Sequence, residues 1–393
     1  MKNDLKIFTD NIQPEATNQI YNLISQVPFE DSVVRIMPDV HCGMECVVGF
    51  TSTFTDKLIP NVIGVDIGCG MLTINLGNVD IDLARLDEFI KKTVVVGSTT
   101  KKKYNIDPLV NKLLCKNKLK DCSLAYQTFA TLGGGNHFIE VDIDNDNNKY
   151  LIIHSGSRGL GLLVAKYYQQ LAIDECKNAG AIEKQKLVEE LSKSGQQEKI
   201  DTAMAELTKK YAHKTKTPAS YCYLEGKQMQ DYLYDIRICQ QFAEQSRKHM
   251  ADQICNHLRI KPTESFETVH NFIDTDNIIR KGAIPAHLGQ KVLIPLNMRD
   301  GCIIAIGKGN TDWNNSAPHG AGRLIKRSEA KEYFTLEEYK EEMKGIYTTS
   351  VTSATLDESP MVYKPMDEIL KYIEPTVKIQ KIIKPIYNFK SAE

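Results

Sequence analysis

The amino-acid sequence predicts an α+β fold, one mixed domain spanning residues 1–393 with a helical region of about 162–258 set inside it. Three observations carry this. Val-, Ile- and Gly-rich stretches with turn signals recur at 30–75, 130–160 and 265–325, the texture of short strands joined by tight loops. Between the last two lies a long segment in which Tyr232, Ile236, Cys239, Ala243, Met250 and Ile254 recur at helical spacing. No internal repeat and no low-complexity linker divides the chain, and the unusual loops are spread over its whole length.

The elements follow in order. Residues 30–75 read as strands around a Gly-rich turn. Residues 130–160 hold a Gly-rich loop, then Phe138-Ile139-Glu140-Val141, a polar Asp/Asn turn and Tyr150-Leu151-Ile152-Ile153. Within the helical region the charged stretch of about 181–212 predicts a solvated hairpin. Strands return at 265–325, as in Cys302-Ile303-Ile304-Ala305-Ile306. From Thr335 the run Thr-Leu-Glu-Glu predicts a capping box.

Bulk properties exclude several classes. With 49 basic and 50 acidic side chains among 393 residues, any nucleic-acid site has to be a local patch. The charged start Met1-Lys2-Asn3-Asp4-Leu5-Lys6 lacks a signal-peptide core. No window approaches the roughly 18 apolar residues of a membrane span. The ten cysteines form no CxxC pair and read as reduced thiols or ligands. A cytoplasmic enzyme is expected. Lys101-Lys102-Lys103 is a candidate RNA-backbone contact, though such a run is more often a solvated surface.

The chemistry-bearing residues sit in the Gly-rich loops. Gly64-Val65-Asp66-Ile67-Gly68-Cys69-Gly70 places a carboxylate and a thiol three residues apart on a turn that lets both face one point. Taken alone, a DxxC is more often a tight turn with a buried Cys. Gly133-Gly134-Gly135-Asn136-His137 allows close approach to a phosphate or a metal. His154 ends an apolar strand before Ser155-Gly156-Ser157-Arg158-Gly159, side chains suited to a phosphate cradle. His270 follows Val269, and His319 lies between Pro318 and Gly320, four residues before Arg323. Each histidine alone reads as structural. Together, four of the nine histidines and one DxxC occupy loops or strand ends, where side chains converge in mixed folds. His213, His249 and His257 lie in helical, polar surroundings; His41 is intermediate. Asp66, Cys69 and three histidines can hold two metal ions if one group bridges. Ligand softness favours zinc over manganese, so composition does not choose the metal.

Other nucleotide chemistries fail on spacing. Gly301 and Gly307 are separated by five residues, and Lys308 precedes Gly309, so there is no P-loop. Asp300-Gly301 follows Met298-Arg299, which removes the Lys-x-Asp-Gly signature of lysine-dependent ligases. HExxH and GxSxG are absent.

From about residue 36 onward the chain resembles the RtcB family of RNA ligases. MPDVHCG, VIGVDIGCGM, LGGGNHFIEV, IHSGSRGLG, VHNF, RKGA, IGKGN and SAPHGAGR occur in the family's order. The resemblance implies a fold with strands and Gly-rich loops around a central metal site. It implies two manganese ions bridged by Cys69, one bound by His137 and His154, the other by Asp66 and His270. It implies GTP as co-substrate, His319 as the guanylylated residue, and Asn136, Glu140, Tyr363 and Lys390 as nucleotide contacts. Arg158 and Arg323 would contact phosphates. The implied reaction joins RNA ending in a 3′-phosphate or 2′,3′-cyclic phosphate to RNA with a 5′-hydroxyl. No membrane is involved, and an activating protein partner stays open. Two departures stand out. Glu45 replaces a commoner Gly or Lys, and Asn297 in Pro295-Leu296-Asn297-Met298 replaces a guanine-contacting Ser; Asn still donates and accepts hydrogen bonds. The departures suggest a divergent bacterial branch acting in RNA repair more than in tRNA splicing. The competing expectation is a metal-dependent phosphoesterase that opens cyclic phosphates without ligation. It would need the metal ligands but not a nucleophilic His319.

Overall fold

The computed structural model describes residues 3–94 and 104–391; the Lys101-Lys102-Lys103 run lies outside them. A seven-stranded sheet runs in the spatial order Lys291–Asn297, Gly301–Gly307, Val377–Lys390, Phe138–Ile143, Lys149–Ser155, Gly70–Gly77, Glu264–Val269. All its neighbours are antiparallel. The order explains the scattered loops, because strands distant in the chain are neighbours in it, as Val377–Lys390 is of Phe138–Ile143 and Gly70–Gly77 of Glu264–Val269. A five-stranded sheet contains Asp4–Ile7, Val33–His41, Val48–Thr53, Ile278–Lys281 and Asn271–Ile273, so the strand after His270 leaves one sheet for the other. The observed α+β architecture matches the expected fold class.

The apolar runs form strands because both faces are covered. Leu151 and Ile153 join one core cluster, while Tyr150 and Ile152 face another that includes Phe138, Ile304 and Ile383. This is the period-two alternation of a strand buried on both sides. The first face is covered by helix Gly226–Leu258, whose buried stripe includes the six residues predicted from helical spacing. The helical region starts a little earlier than expected, at Arg158, because its first turn is built from Gly and Ser and carries no apolar period. Helices Ala181–Lys193 and Ile200–Thr215 contain no buried residue, as a solvated hairpin requires. The Thr335 box forms, with Glu338 and Thr335 bonding reciprocally. No helix among the described residues is long and apolar enough to cross a membrane.

One cation ties helix to sheet. Arg247 is buried and its Nη1 donates to the carbonyls of Gly68 at 2.9 Å and Ser155 at 2.7 Å. Its Nη2 pairs with Glu267 at 2.7 Å. Removing the guanidinium strands two carbonyls and a carboxylate at once. Arg247→Met is expected to lower unfolding stability by about 3–5 kcal/mol in urea titration. Lys210→Ala, which breaks only the exposed pair with Glu183, should leave the midpoint unchanged.

Candidate active site

The ends of four neighbouring strands place the site. Cys69 precedes Gly70–Gly77, His137 precedes Phe138–Ile143, His154 lies near the end of Lys149–Ser155, and His270 follows Glu264–Val269. The ladder sets Gly70 opposite both Ser155 and Val269, and Phe138 opposite His154. All four side chains therefore meet at one edge of the sheet. Asp66 reaches the same point through the turn in which Cys69 N bonds Asp66 O at 3.2 Å. Gly68 closes that turn with φ +74° and leaves no room for a side chain, since a Cβ would lie 2.9 Å from Gln240 Cα.

The donor atoms form two groups that share one sulfur. Asp66, Cys69 and His137 make one, and Cys69, His154 and His270 the other, each within 4.8 Å. Cys69 Sγ lies 3.4 Å from His137 Nε2 and 3.3 Å from His154 Nε2. Asp66 Oδ2 is 2.9 Å from His137 Nε2, and the Nε2 atoms of His154 and His270 are 3.3 Å apart. This partition differs from the expected one, which joined His137 to His154 and Asp66 to His270. Asp66 leans toward His137 over Gly156, while the strand ladder turns His154 toward His270.

Hydrogen bonds behind the rings orient them. His137 Nδ1 donates to Leu132 O at 2.9 Å and His154 Nδ1 to Asn136 O at 3.0 Å. The Nε2 of His154 is left with its lone pair facing the sulfur, and that of His137 lies between the sulfur and Asp66, positions typical of metal-binding imidazoles. Burial, and then the charges of neighbouring groups, push His154 and His270 well below the ordinary histidine range, so both rings are neutral and able to serve as metal donors. Burial opposes ionisation of Asp66, but contact with His137, Cys69 and Arg158 together outweighs it and holds the carboxyl low. Burial and the Asp66 charge push the Cys69 thiol well up; a divalent cation between these donors reverses that balance. A soft bridging sulfur with neutral nitrogens and one carboxylate fits a pair of such ions.

His319 stands beside this cluster, its ring centroid 4.8 Å from that of His270. Its Nδ1 bonds Asp39 Oδ2 at 2.6 Å, and the same oxygen accepts from the backbone N–H of His319 and Gly320. Sequence reasoning missed Asp39 as a functional residue. The available signal was a carboxylate inside the apolar run Val33–His41, where every inner position is buried.

Two cavities meet at His319. One is lined by Asn136, Glu140, Tyr363, Lys390, Arg323 and Asn297, with Phe138 on its wall. The other borders Asp66, Cys69, His270, Lys281 and Lys326. Arg323 and His319 line both. Arg158 lies apart, lining a third cavity with Asp66, Asn136 and His137, its Nε buried without a partner. Asn297 is committed locally: Nδ2 donates to Asp300 at 2.8 Å, and Oδ1 caps the N–H groups of Arg299 and Asp300. A further residue absent from the expectations is Glu358. It is buried, pairs with Lys390 at 2.5 Å and Arg327 at 2.5 Å, and accepts from Tyr363 at 2.7 Å. Burial raises its carboxyl, but Lys390, Arg327 and Arg323 outweigh that and hold it down to about 2.

Gly156 supplies a test of the cluster. A Cβ there would lie 2.0 Å from Asp66 Oδ1. Gly156→Ala is expected to displace Asp66 and cost at least one of two metal equivalents in elemental analysis. Circular dichroism should show the fold retained.

Comparison with known proteins follows the same residues. The family model described as "tRNA-splicing ligase RtcB" matches residues 19–121 and 116–391. The chain is 27% identical to the RNA-splicing ligase RtcB of Escherichia coli (strain K12), covering 91% of this chain and 90% of that protein. It is 25% identical to the tRNA-splicing ligase RtcB of Nanoarchaeum equitans, covering 92% and 88%. It is 26% identical to that of Aeropyrum pernix, covering 85% and 82%. With the family matched across nearly all of its length, this chain belongs to the RtcB family.

Proposed function

We propose that this chain is a GTP-dependent RNA ligase that uses two manganese ions. It joins an RNA 3′-phosphate, or a 2′,3′-cyclic phosphate once opened, to a 5′-hydroxyl through a GMP-histidine intermediate. The observation that carries this reading is the anchoring of His319 at the junction of two cavities. Asp39 occupies Nδ1, so the lone pair of Nε2 is free to attack. A metal-dependent phosphoesterase would need the donor cluster but not a nucleophilic imidazole.

The chain's own groups account for the steps. His319 Nε2 attacks the α-phosphorus of GTP; the P–N bond forms, the bond to the bridging oxygen breaks, and pyrophosphate leaves. The ring becomes cationic, and Asp39 stabilises that charge while fixing the tautomer. A 3′-phosphate oxygen then takes the GMP, breaking the P–N bond. Attack by the 5′-hydroxyl on the 3′-phosphorus makes the RNA linkage and releases GMP. Asp66, Cys69, His137, His154 and His270 would hold the ions, which neutralise phosphate charge and orient the displaced groups. Arg323, shared by both cavities, suits a phosphate passed between them, and Arg158 suits the RNA end on the far side of Asn136. Manganese comes from the family likeness; the sulfur and nitrogens by themselves favour zinc.

Mass spectrometry after incubation with GTP and Mn²⁺ tests the intermediate. Wild type should gain one GMP. His319→Ala should gain none while keeping its metal, and should still join RNA supplied with a GMP-capped 3′ end. A GMP adduct on His319→Ala would refute the assignment. Asp39→Asn keeps the shape but removes the charge, and adduct formation should slow by about 10²-fold, read in single-turnover labelling at saturating GTP.

A further inference from the structure

Behind the nucleotide cavity lie two buried carboxyls with no cation between them. Glu140 and Asp142 are alternate residues of strand Phe138–Ile143 and project from the same face. With Cys302 they bring their polar atoms within 4.8 Å of one another. The surrounding side chains are apolar: Phe138 on the same strand, Ile152 and Tyr150 opposite Glu140 and Asp142, and Ile304 and Ile383 beyond. Glu140 accepts from Cys302 Sγ at 3.2 Å and from Asn388 Nδ2 at 2.7 Å. Asp142 is fully buried, and neither of its oxygens has a partner among the described residues. The contrast with Asp274, Asp276 and His287 is direct. That group also clusters, but Arg280 sits 3.6 and 2.9 Å from its two carboxylates and neutralises them.

Two adjacent carboxylates in an apolar wall cannot both ionise, so the pair shares one proton. Burial drives Asp142 well above the usual carboxylate range, and the Glu140 charge adds to it, while the charges of Lys384 on Asp142 and Lys390 on Glu140 act the other way and are outweighed. Burial also raises Glu140, against the donors Cys302, Asn388 and Asp142 that favour its anion. Glu140 has donors and lines the cavity; Asp142 has neither advantage, so the proton belongs on Asp142.

The position of that proton decides which base fits. Guanine presents two donors, N1–H and N2–H, which need a carboxylate acceptor. Adenine presents an acceptor at N1 beside a donor at N6, which matches a protonated carboxyl. We propose that Asp142 is a specificity-determining positioning residue: it keeps the proton of the pair, donates it as a hydrogen bond to Glu140, and so presents Glu140 to the nucleotide as a carboxylate. The inference rests on the reading of this cavity as a guanine site. The mechanism is that of a buried carboxylic acid kept neutral so that it can donate.

Infrared spectroscopy and nucleotide labelling of His319 test it together. At pH 8 the wild-type protein should show a protonated-carboxyl C=O band that is absent from Asp142→Asn and retained in Glu140→Gln. Asp142→Asn still offers an N–H donor and should keep the GTP preference. Asp142→Val removes the donor. The GTP concentration for half-maximal labelling should then rise about 10–100-fold, and the GTP-to-ATP labelling ratio should fall at least tenfold, with two metal equivalents retained. No infrared band, or an unchanged ratio in Asp142→Val, overturns the proposal. So does a third metal equivalent lost in Asp142→Asn, which would make the three side chains a cation site. If wild type labels equally with ATP, the guanine reading itself fails and the specificity role falls with it, while the band still reports where the proton sits.

Discussion

The register of four adjacent antiparallel strands is the constraint on which the site depends. Cys69, His137, His154 and His270 come from distant parts of the chain, yet the pairing of Gly70 with Ser155 and Val269, and of Phe138 with His154, puts them at one sheet edge. A slip of one residue in any of these strands would turn its side chains to the opposite face. The apolar faces above and below resist that slip, because Gly70–Gly77, Phe138–Ile143 and Lys149–Ser155 each contribute alternately to two core clusters. Arg247 adds a direct restraint by holding the carbonyls of Gly68 and Ser155, next to the ligand turn on one side and His154 on the other.

The electrostatics divide around His319. On one side stand a thiol, a carboxylate and neutral imidazoles, oriented by backbone carbonyls and crowded within hydrogen-bonding distance. Lone pairs so placed repel unless a cation lies among them. On the other side Arg323, Arg327 and Lys390 gather around the buried Glu358, which keeps a cationic wall intact in a pocket that would otherwise scatter it. His319 lies between the donor cluster and this wall. Its tie to Asp39 connects the loop after strand Ser316–Pro318, which pairs with Ala283–Pro285, to the strand Val33–His41 and holds the imidazole in place.

Much of this was legible in the sequence. The DxxC turn, the His137 and His154 loops, His270 and His319 stand out because Gly-rich loops and strand ends are where a chain can present side chains without burying its own backbone. The long helix was legible from its spacing and the hairpin of 181–212 from its charge. Other features were hidden. Asn297 reads as a base contact by analogy with a Ser, but its amide is consumed by a turn with Arg299 and Asp300. Glu358 reads as one more acidic residue in Leu356-Asp357-Glu358-Ser359, since nothing local reveals its burial among three cations.

The sequence by itself marked out the candidate ligands, the candidate nucleophile and the order of the loops, because residue type and glycine spacing are local properties. The tertiary structure alone decided how the candidate donors group around Cys69, which carboxylate anchors His319, and that Asp142 lies against Glu140 with neither of its oxygens bonded. Asp39 and His319 are 280 residues apart, and no periodicity links them. Their contact exists only once the loop around residue 319 has packed on the strand Val33–His41, and the balance between burial and ion pairing that sets each group's charge is fixed at the same moment.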